Sequence, residues 1–230
     1  MTRRQAPAVL PPSLRARLGL IAGLAALTVV VLAVLYAGDS RPGVVDVRIS
    51  AAVGDVRAPW WYLAAAVDPL GTPGGAAMAT VAVVAGCLLL RRPRAAVLVI
   101  AGPGLTVGTT TLLKPLVGRT INGDNLSYPS GHTAFATALA LVLALLATGR
   151  LGLGKTAGTS LVLAAALVGG AAMGWAQVVL DAHYPTDTIG GCCTALAVVP
   201  ATAWLVDRAA GRTADRTSDG PAGAGRPVES

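Results

Sequence analysis

The chain contains only two histidines, His132 and His183, and each sits in a short polar break between long apolar runs. The first break reads "YPSGH" and the second "DAHYPTD". In the second, Asp187 follows His183 by four residues. A carboxylate that holds one imidazole nitrogen fixes the tautomer and makes the other nitrogen a better nucleophile or base. In the first, Pro129 and Ser130 have the character of a helix start, with Ser130 as the cap. Gly131 lets the backbone approach a ligand closely. A helix beginning there directs free N–H groups and the positive end of its dipole outward, an arrangement that takes anions, phosphate above all. His132 lies in the first turn beside that anion. A third polar stretch, "KPLVGRT", brings Lys114 and Arg119, two cations able to clamp phosphate oxygens.

Each group has a plainer reading: an interfacial histidine at a helix cap, cations snorkelling to headgroups, a structural His–Asp hydrogen bond. Taken together they make one mechanism legible. Cations and helix N–H groups bind a phosphoryl group. One histidine, oriented by a carboxylate, attacks phosphorus, and the other donates a proton to the leaving oxygen. Water then releases phosphate. Two histidines and an aspartate are also a possible zinc set, but Lys114 and Arg119 would repel a cation, and fixed donors can stabilise the charge without one. No metal and no cofactor is expected. Asp181 is read as a solvated loop acid.

These groups need a scaffold, and composition indicates which. The 230 residues are 54% hydrophobic and only 13% charged, with a mean hydropathy of +0.66. A soluble domain carries about 25% charged residues. The expected class is all-α, a polytopic membrane protein. Six runs near the ~20 residues that cross a bilayer fall at about 18–37, 74–90, 95–113, 133–149, 157–179 and 188–206. The first is long enough to be a retained anchor rather than a cleaved signal. Gly102-Pro103-Gly104 predicts a kink in the third. Between the first two runs, Asp39 to Thr72 contains Trp60, Trp61 and Tyr62, which suit a short interfacial helix. The expected organisation is a cytoplasmic segment 1–17, a membrane domain 18–206 and a disordered cytoplasmic tail 207–230.

The net charge of +7 is spread over loops and forms no stripe, so no nucleic-acid partner is expected. With the N-terminus inside, thirteen Lys and Arg face inward and five (Arg41, Arg48, Arg57, Lys114, Arg119) face outward, which follows the positive-inside rule. Both termini are then cytoplasmic, and every candidate site residue falls on the extracytoplasmic side of the cell membrane. Cys87, Cys192 and Cys193 lie in apolar runs without disulfide or metal spacing and read as small buried hydrophobes.

Over about 95–206 the chain resembles the type 2 phosphatidic acid phosphatase family of membrane lipid phosphatases, which share a helical core with vanadium haloperoxidases. Pro129-Ser130-Gly131-His132 matches the second family motif. His183 and Asp187 match the end of the third, and Lys114 matches the start of the first. The resemblance implies that His183 is the nucleophile, His132 the general acid and Asp187 the orienting carboxylate. Lys114, Ser130 and the Gly131 N–H then bind phosphate. Two family arginines are replaced. The Arg-Pro of the first motif stands as Ile121-Asn122, and the Ser-Arg of the third as Ala176-Gln177. Arg119, two residues early, is the expected substitute, and Gln177 offers a hydrogen bond without charge. The expected activity is hydrolysis of a lipid phosphate or diphosphate, of polyprenyl or phosphatidic acid type. The alternative is a member that binds lipid phosphate without turning it over. A haloperoxidase ranks third, because those enzymes are mostly soluble.

Overall fold

The computed structural model describes residues 8–53 and 57–218, with side chains described through Arg212. Among the described residues there are eight α-helices: α1 (Arg15–Leu35), α2 (Val44–Val53), α3 (Trp60–Val67), α4 (Pro73–Leu89), α5 (Pro93–Val117), α6 (Gly131–Leu151), α7 (Lys155–Val179) and α8 (Pro185–Ser218). A two-residue antiparallel ladder, β1 (Thr120–Ile121) with β2 (Asn125–Leu126), closes the α5–α6 loop. The fold is all-α and polytopic, as composition indicates.

Helix boundaries follow local chemistry. Pro93 opens α5 and Gly118, at φ +67°, closes it. Ser130 caps α6, and Gly152 at φ +60° ends it. Both glycines occupy the left-handed region that a side chain disfavours. α5 runs as one helix through Gly102-Pro103-Gly104, where the Thr106 hydroxyl donates to the Gly102 carbonyl at 2.8 Å.

Five helices are long and apolar enough to cross a membrane. The second expected run, 74–90, is part of a broken one: Trp60–Gly71 and Pro73–Leu89 meet at 67° and together make one candidate span. The break is built by a 3₁₀ turn over Asp68–Gly71 and a Thr72 cap that accepts from Gly75 N–H, with Pro73 beginning α4. The stretch expected to hold one interfacial helix thus holds two, α2 and α3, and Trp60, Trp61 and Tyr62 are exposed on α3. α8 continues past the expected end at 206 to Ser218. The remainder of the expected tail, 219–230, and the first seven residues lie outside the described residues.

α6 is central, packed by α5, α7 and α8, while α1 lies along α8. The core between them is small and aliphatic: Leu98, Val99, Ala138, Leu141, Val142, Val162, Ala195 and Val199 are all buried. Leucines and valines such as Leu24, Val34, Leu112 and Leu167 face outward, which suits lipid as solvent. Small residues bring the backbones together. A Cβ on Gly191 would press on the Ser130 carbonyl of α6, and one on Gly102 would stand 3.3 Å from Val142.

The first described residues meet the later part of α8 at one end of the bundle. Asp207 near the end of α8 accepts from Val9 and Leu10 N–H at 2.9 Å, and Arg17 donates to the Lys155 carbonyl. Alternating spans return to their starting side only if the α3–α4 pair counts as one crossing, which gives six.

Gly191→Ala has backbone against its new methyl group and is expected to destabilise the protein by about 1–3 kcal/mol, read as a lower melting temperature in detergent. Gly108→Ala, in open space on α5, is expected to leave the melt unchanged or raise it slightly.

Candidate functional site

The polar residues gather at the opposite end of the bundle. The centre of the cluster is Arg119, in the loop after α5, with no solvent exposure. One terminal nitrogen donates to Asp187 Oδ1 and to the Thr186 hydroxyl, each at 2.6 Å. The other donates to Asp46 Oδ2 at 2.6 Å. The guanidinium lies between the rings of Tyr36 and Tyr184, at 4.2 and 4.5 Å from their centroids. Arg119 was expected in a phosphate clamp. It stands instead behind Asp187, with both terminal nitrogens engaged. The loop is tied on both sides of it: Thr120 N–H donates to the Asp39 carbonyl, and Ser127 N–H to the Arg119 carbonyl.

That network fixes the first histidine. Asp187, at the start of α8, directs Oδ1 to Arg119 and Oδ2 to Tyr184 N–H at 3.0 Å. His183 Nδ1 stands 3.6 Å from the same Oδ2. The contact is too long for a hydrogen bond, and Nδ1 is buried without another partner. His183 N–H donates to the Gln177 carbonyl, so the residue is held by its backbone while its ring faces Asp187 at 3.6 Å.

The second histidine opens α6. Ser130 is fully buried. Its N–H donates to the Asp187 carbonyl at 3.0 Å, which ties the α6 start to α8. Its hydroxyl caps Thr133 and lies 3.1 Å from the Thr133 hydroxyl. Ser130 is therefore placed as the helix cap, and the outward N–H groups of α6 remain beside the half-buried His132. Lys114, in the last turn of α5, donates to the Leu126 carbonyl at 2.7 Å. Lys114 and His183 both act electrostatically on His132. The structure thus brings His132, His183, Asp187, Lys114, Ser130, Gly131 and Gln177 to one end, with Arg119 in the supporting layer. Asp181 is exposed and gives its carbonyl to Asn122.

Two residues of the cluster escaped the sequence reading. Asp46 of α2 completes the Arg119 pair and accepts Thr186 N–H at 2.8 Å. Asp68, at the break of the α3–α4 pair, accepts from Gln177 Nε2 at 2.7 Å and lies 3.6 Å from His132 Nε2. A usable signal existed for Asp68. Like both histidines, it is a charged residue in a short break between apolar runs. Asp46 offers a weaker one, an acid inside an otherwise apolar helix.

Burial alone would raise the Asp46 carboxyl, but hydrogen bonds from Thr186, Arg119 and Gly43 outweigh it and hold the group below its ordinary 3.8. Burial, with the neighbouring carboxylates, raises the Tyr184 hydroxyl. Among the described residues no group of three His, Cys, Asp or Glu side chains is placed to hold a metal ion.

A bundle of apolar helices with a histidine–aspartate cluster at one end defines a class: polytopic membrane proteins whose polar site is sunk into the mouth of the bundle. The PAP2 superfamily model matches residues 75–210, and the chain belongs to that superfamily. The fold is also that of a crystal structure described as the first transmembrane PAP2-type phosphatidylglycerolphosphate phosphatase, from Bacillus subtilis. The TM-score is 0.62 at 20% identity, over 87% of this chain and 98% of that one. No curated protein matches the sequence.

Arg119→Leu strands two buried carboxylates, and Asp46→Asn weakens one of the two ion pairs. The first is expected to cost about 3–5 kcal/mol and the second less, read from thermal unfolding in detergent. A depressed carboxyl stabilises the fold above its unfolded-state value, and that contribution is lost as pH falls through the lower folded value. The stability that Asp46 contributes is therefore expected to persist down to about 3.8 and to fade only below it.

Proposed function

We propose that the protein is a membrane lipid phosphatase that hydrolyses a lipid phosphate or diphosphate through a phosphohistidine intermediate, without a metal. The observation that carries this reading is the convergence of His183, its partner Asp187, and His132 at the open end of α6. Asp187 orients His183 through Nδ1 and leaves Nε2 to attack phosphorus. The P–N bond forms as the P–O bond to the lipid breaks, and His132 gives its proton to the departing oxygen. Water then attacks the phosphohistidine while His132 takes back a proton, and phosphate leaves. The Gly131 N–H, the first turn of α6 and Lys114 hold the phosphoryl oxygens. Membership of the PAP2 superfamily supports the reaction class. The positive-inside count supports a site on the extracytoplasmic face and both termini in the cytoplasm.

A second reading is favoured by one specific observation. Ile121 and Gln177 stand where the family carries arginines, and Arg119 is committed to Asp46 and Asp187. A charge-assisted contact contributes about 1.5–3 kcal/mol against about 1 for a neutral one, so the pocket binds a highly charged phosphate less strongly. A member that holds lipid phosphate without cleaving it is the alternative.

The test is phosphate release by the purified protein in detergent, with EDTA present. The panel contains polyprenyl diphosphates and monophosphates, phosphatidic acid and phosphatidylglycerolphosphate. Release is expected to survive EDTA and to fall by at least about 1,000-fold in His183→Ala. Lipid phosphate bound but never released would establish the second reading. Separately, a reporter fused after Ser230 is expected to read as cytoplasmic, and a periplasmic signal would overturn the orientation.

A further inference from the structure

Asp68 is a carboxylate in a site expected to attract anions. It is delivered by the bent α3–α4 pair and lies outside the residues that match the family. Its position is built rather than incidental. Gln177 Nε2, on a side chain only 1% exposed, donates to Oδ1 at 2.7 Å. The turn that carries it packs directly on the histidine ring: a Cβ on Gly71 would stand 2.5 Å from His132 Cδ2. The carboxylate faces His132 Nε2 at 3.6 Å, with the two side chains 32% and 28% exposed. That separation is an ion-pair contact and exceeds a hydrogen bond, so the Nε2 proton is not committed and remains available to a substrate oxygen.

We propose that Asp68, fixed by Gln177, is a positioning residue that favours the protonated form of His132 for its turn as proton donor. The proposal rests on the phosphatase reading for the role of His132. A negative charge at this distance favours imidazolium over imidazole. The charges that face His132 are Asp68 from the 3₁₀ turn, Lys114 from α5 and His183 from the α7–α8 loop. Burial opposes the charged imidazole most, Lys114 and His183 oppose it further, and Arg119 is tied to Asp46 and Asp187. Asp68 is the one group among these that favours the charged imidazole, against burial, Lys114 and His183. The position that carries a family arginine then has a different use here: Gln177 anchors the carboxylate instead of holding phosphate. The proton balance is unchanged. His132 loses its proton to the leaving oxygen and recovers one from the attacking water, and Asp68 takes no part in the transfer.

The chain's two histidines make the test direct. Diethylpyrocarbonate acylates neutral imidazole, so its rate against pH, read by peptide mass spectrometry, titrates His132 and His183 separately in the full-length protein in detergent. In Asp68→Asn the His132 midpoint is expected to fall by about one pH unit, with the His183 midpoint unmoved, and Asp68→Glu is expected to restore most of the shift. The basic limb of the phosphate-release profile is expected to move down by the same amount while the acidic limb stays. If Asp68→Asn melts below the wild type, Asp68→Ser removes the same charge with a smaller side chain and is expected to give the same shift. An unchanged His132 midpoint in a folded variant overturns the proposal, as does a loss of activity that is equal at every pH. The acylation readout needs no turnover. A wild type that releases no phosphate therefore counts against the phosphatase reading, while the titration still decides whether Asp68 governs His132.

Discussion

A guanidinium with no exposure to solvent is the constraint around which the site is organised. Arginine cannot shed its charge in a protein, so a buried one needs partners wherever the chain can supply them. Arg119 draws Asp46 from α2, Asp187 and Thr186 from α8, and the faces of Tyr36 and Tyr184. These groups come from three separate parts of the chain and must arrive together, because removing a carboxylate leaves a buried charge under-compensated. Docking of α2 against the mouth of the bundle, the path of the α5–α6 loop and the start of α8 are all consequences. The geometry of His183 is a further one. Asp187 can face the imidazole with only one oxygen because the other is taken by Arg119.

The same constraint alters the electrostatics of the mouth. One cation paired with two carboxylates carries no net positive charge and offers no attraction of its own to an anion in a neighbouring pocket. The attraction for an anion then comes from Lys114 and the open N–H groups of α6, and Asp68 offsets part of it. On the proposed reading, a pocket so balanced favours a phosphate of low charge over a dense cluster of charges. It also gives proton placement on the two imidazoles more weight, since fewer fixed cations are available to stabilise the transition state.

The scaffold was legible in the sequence because lipid imposes a simple rule: about twenty apolar residues for each crossing. The histidines and Asp187 were legible for the same reason, since a polar group in a short break between such runs stands out. The departures have identifiable causes. Hydropathy marks where a helix leaves the bilayer and not where it ends, and the Ala- and Arg-containing stretch after Asp207 retains enough helix propensity to carry α8 to Ser218. Arg119 looked free because its partners are remote. Asp46 lies 73 residues away and Asp187 68, and nothing local betrays pairing over such distances. Asp68 hid in the one run that a hydropathy count describes poorly, a span broken at 67°.

The two histidines meet carboxylates at the same 3.6 Å, yet in unlike surroundings. Asp187 has no exposure, is locked by Arg119 and Tyr184 N–H, and faces a nearly buried ring. Such a partner fixes orientation, because neither group can turn or be screened by water. Asp68 and His132 are each about a third exposed and held by a single hydrogen bond on the carboxylate side. Such a partner biases charge while leaving the imidazole free to exchange protons with a substrate or with water. Environments that separate two otherwise similar groups are how one site assigns an acid and a nucleophile at a single pH. On the proposed reading the division follows from which element supplies each carboxylate. The buried start of α8 gives the rigid one, and the tip of a bent helix pair at the mouth gives the wet one.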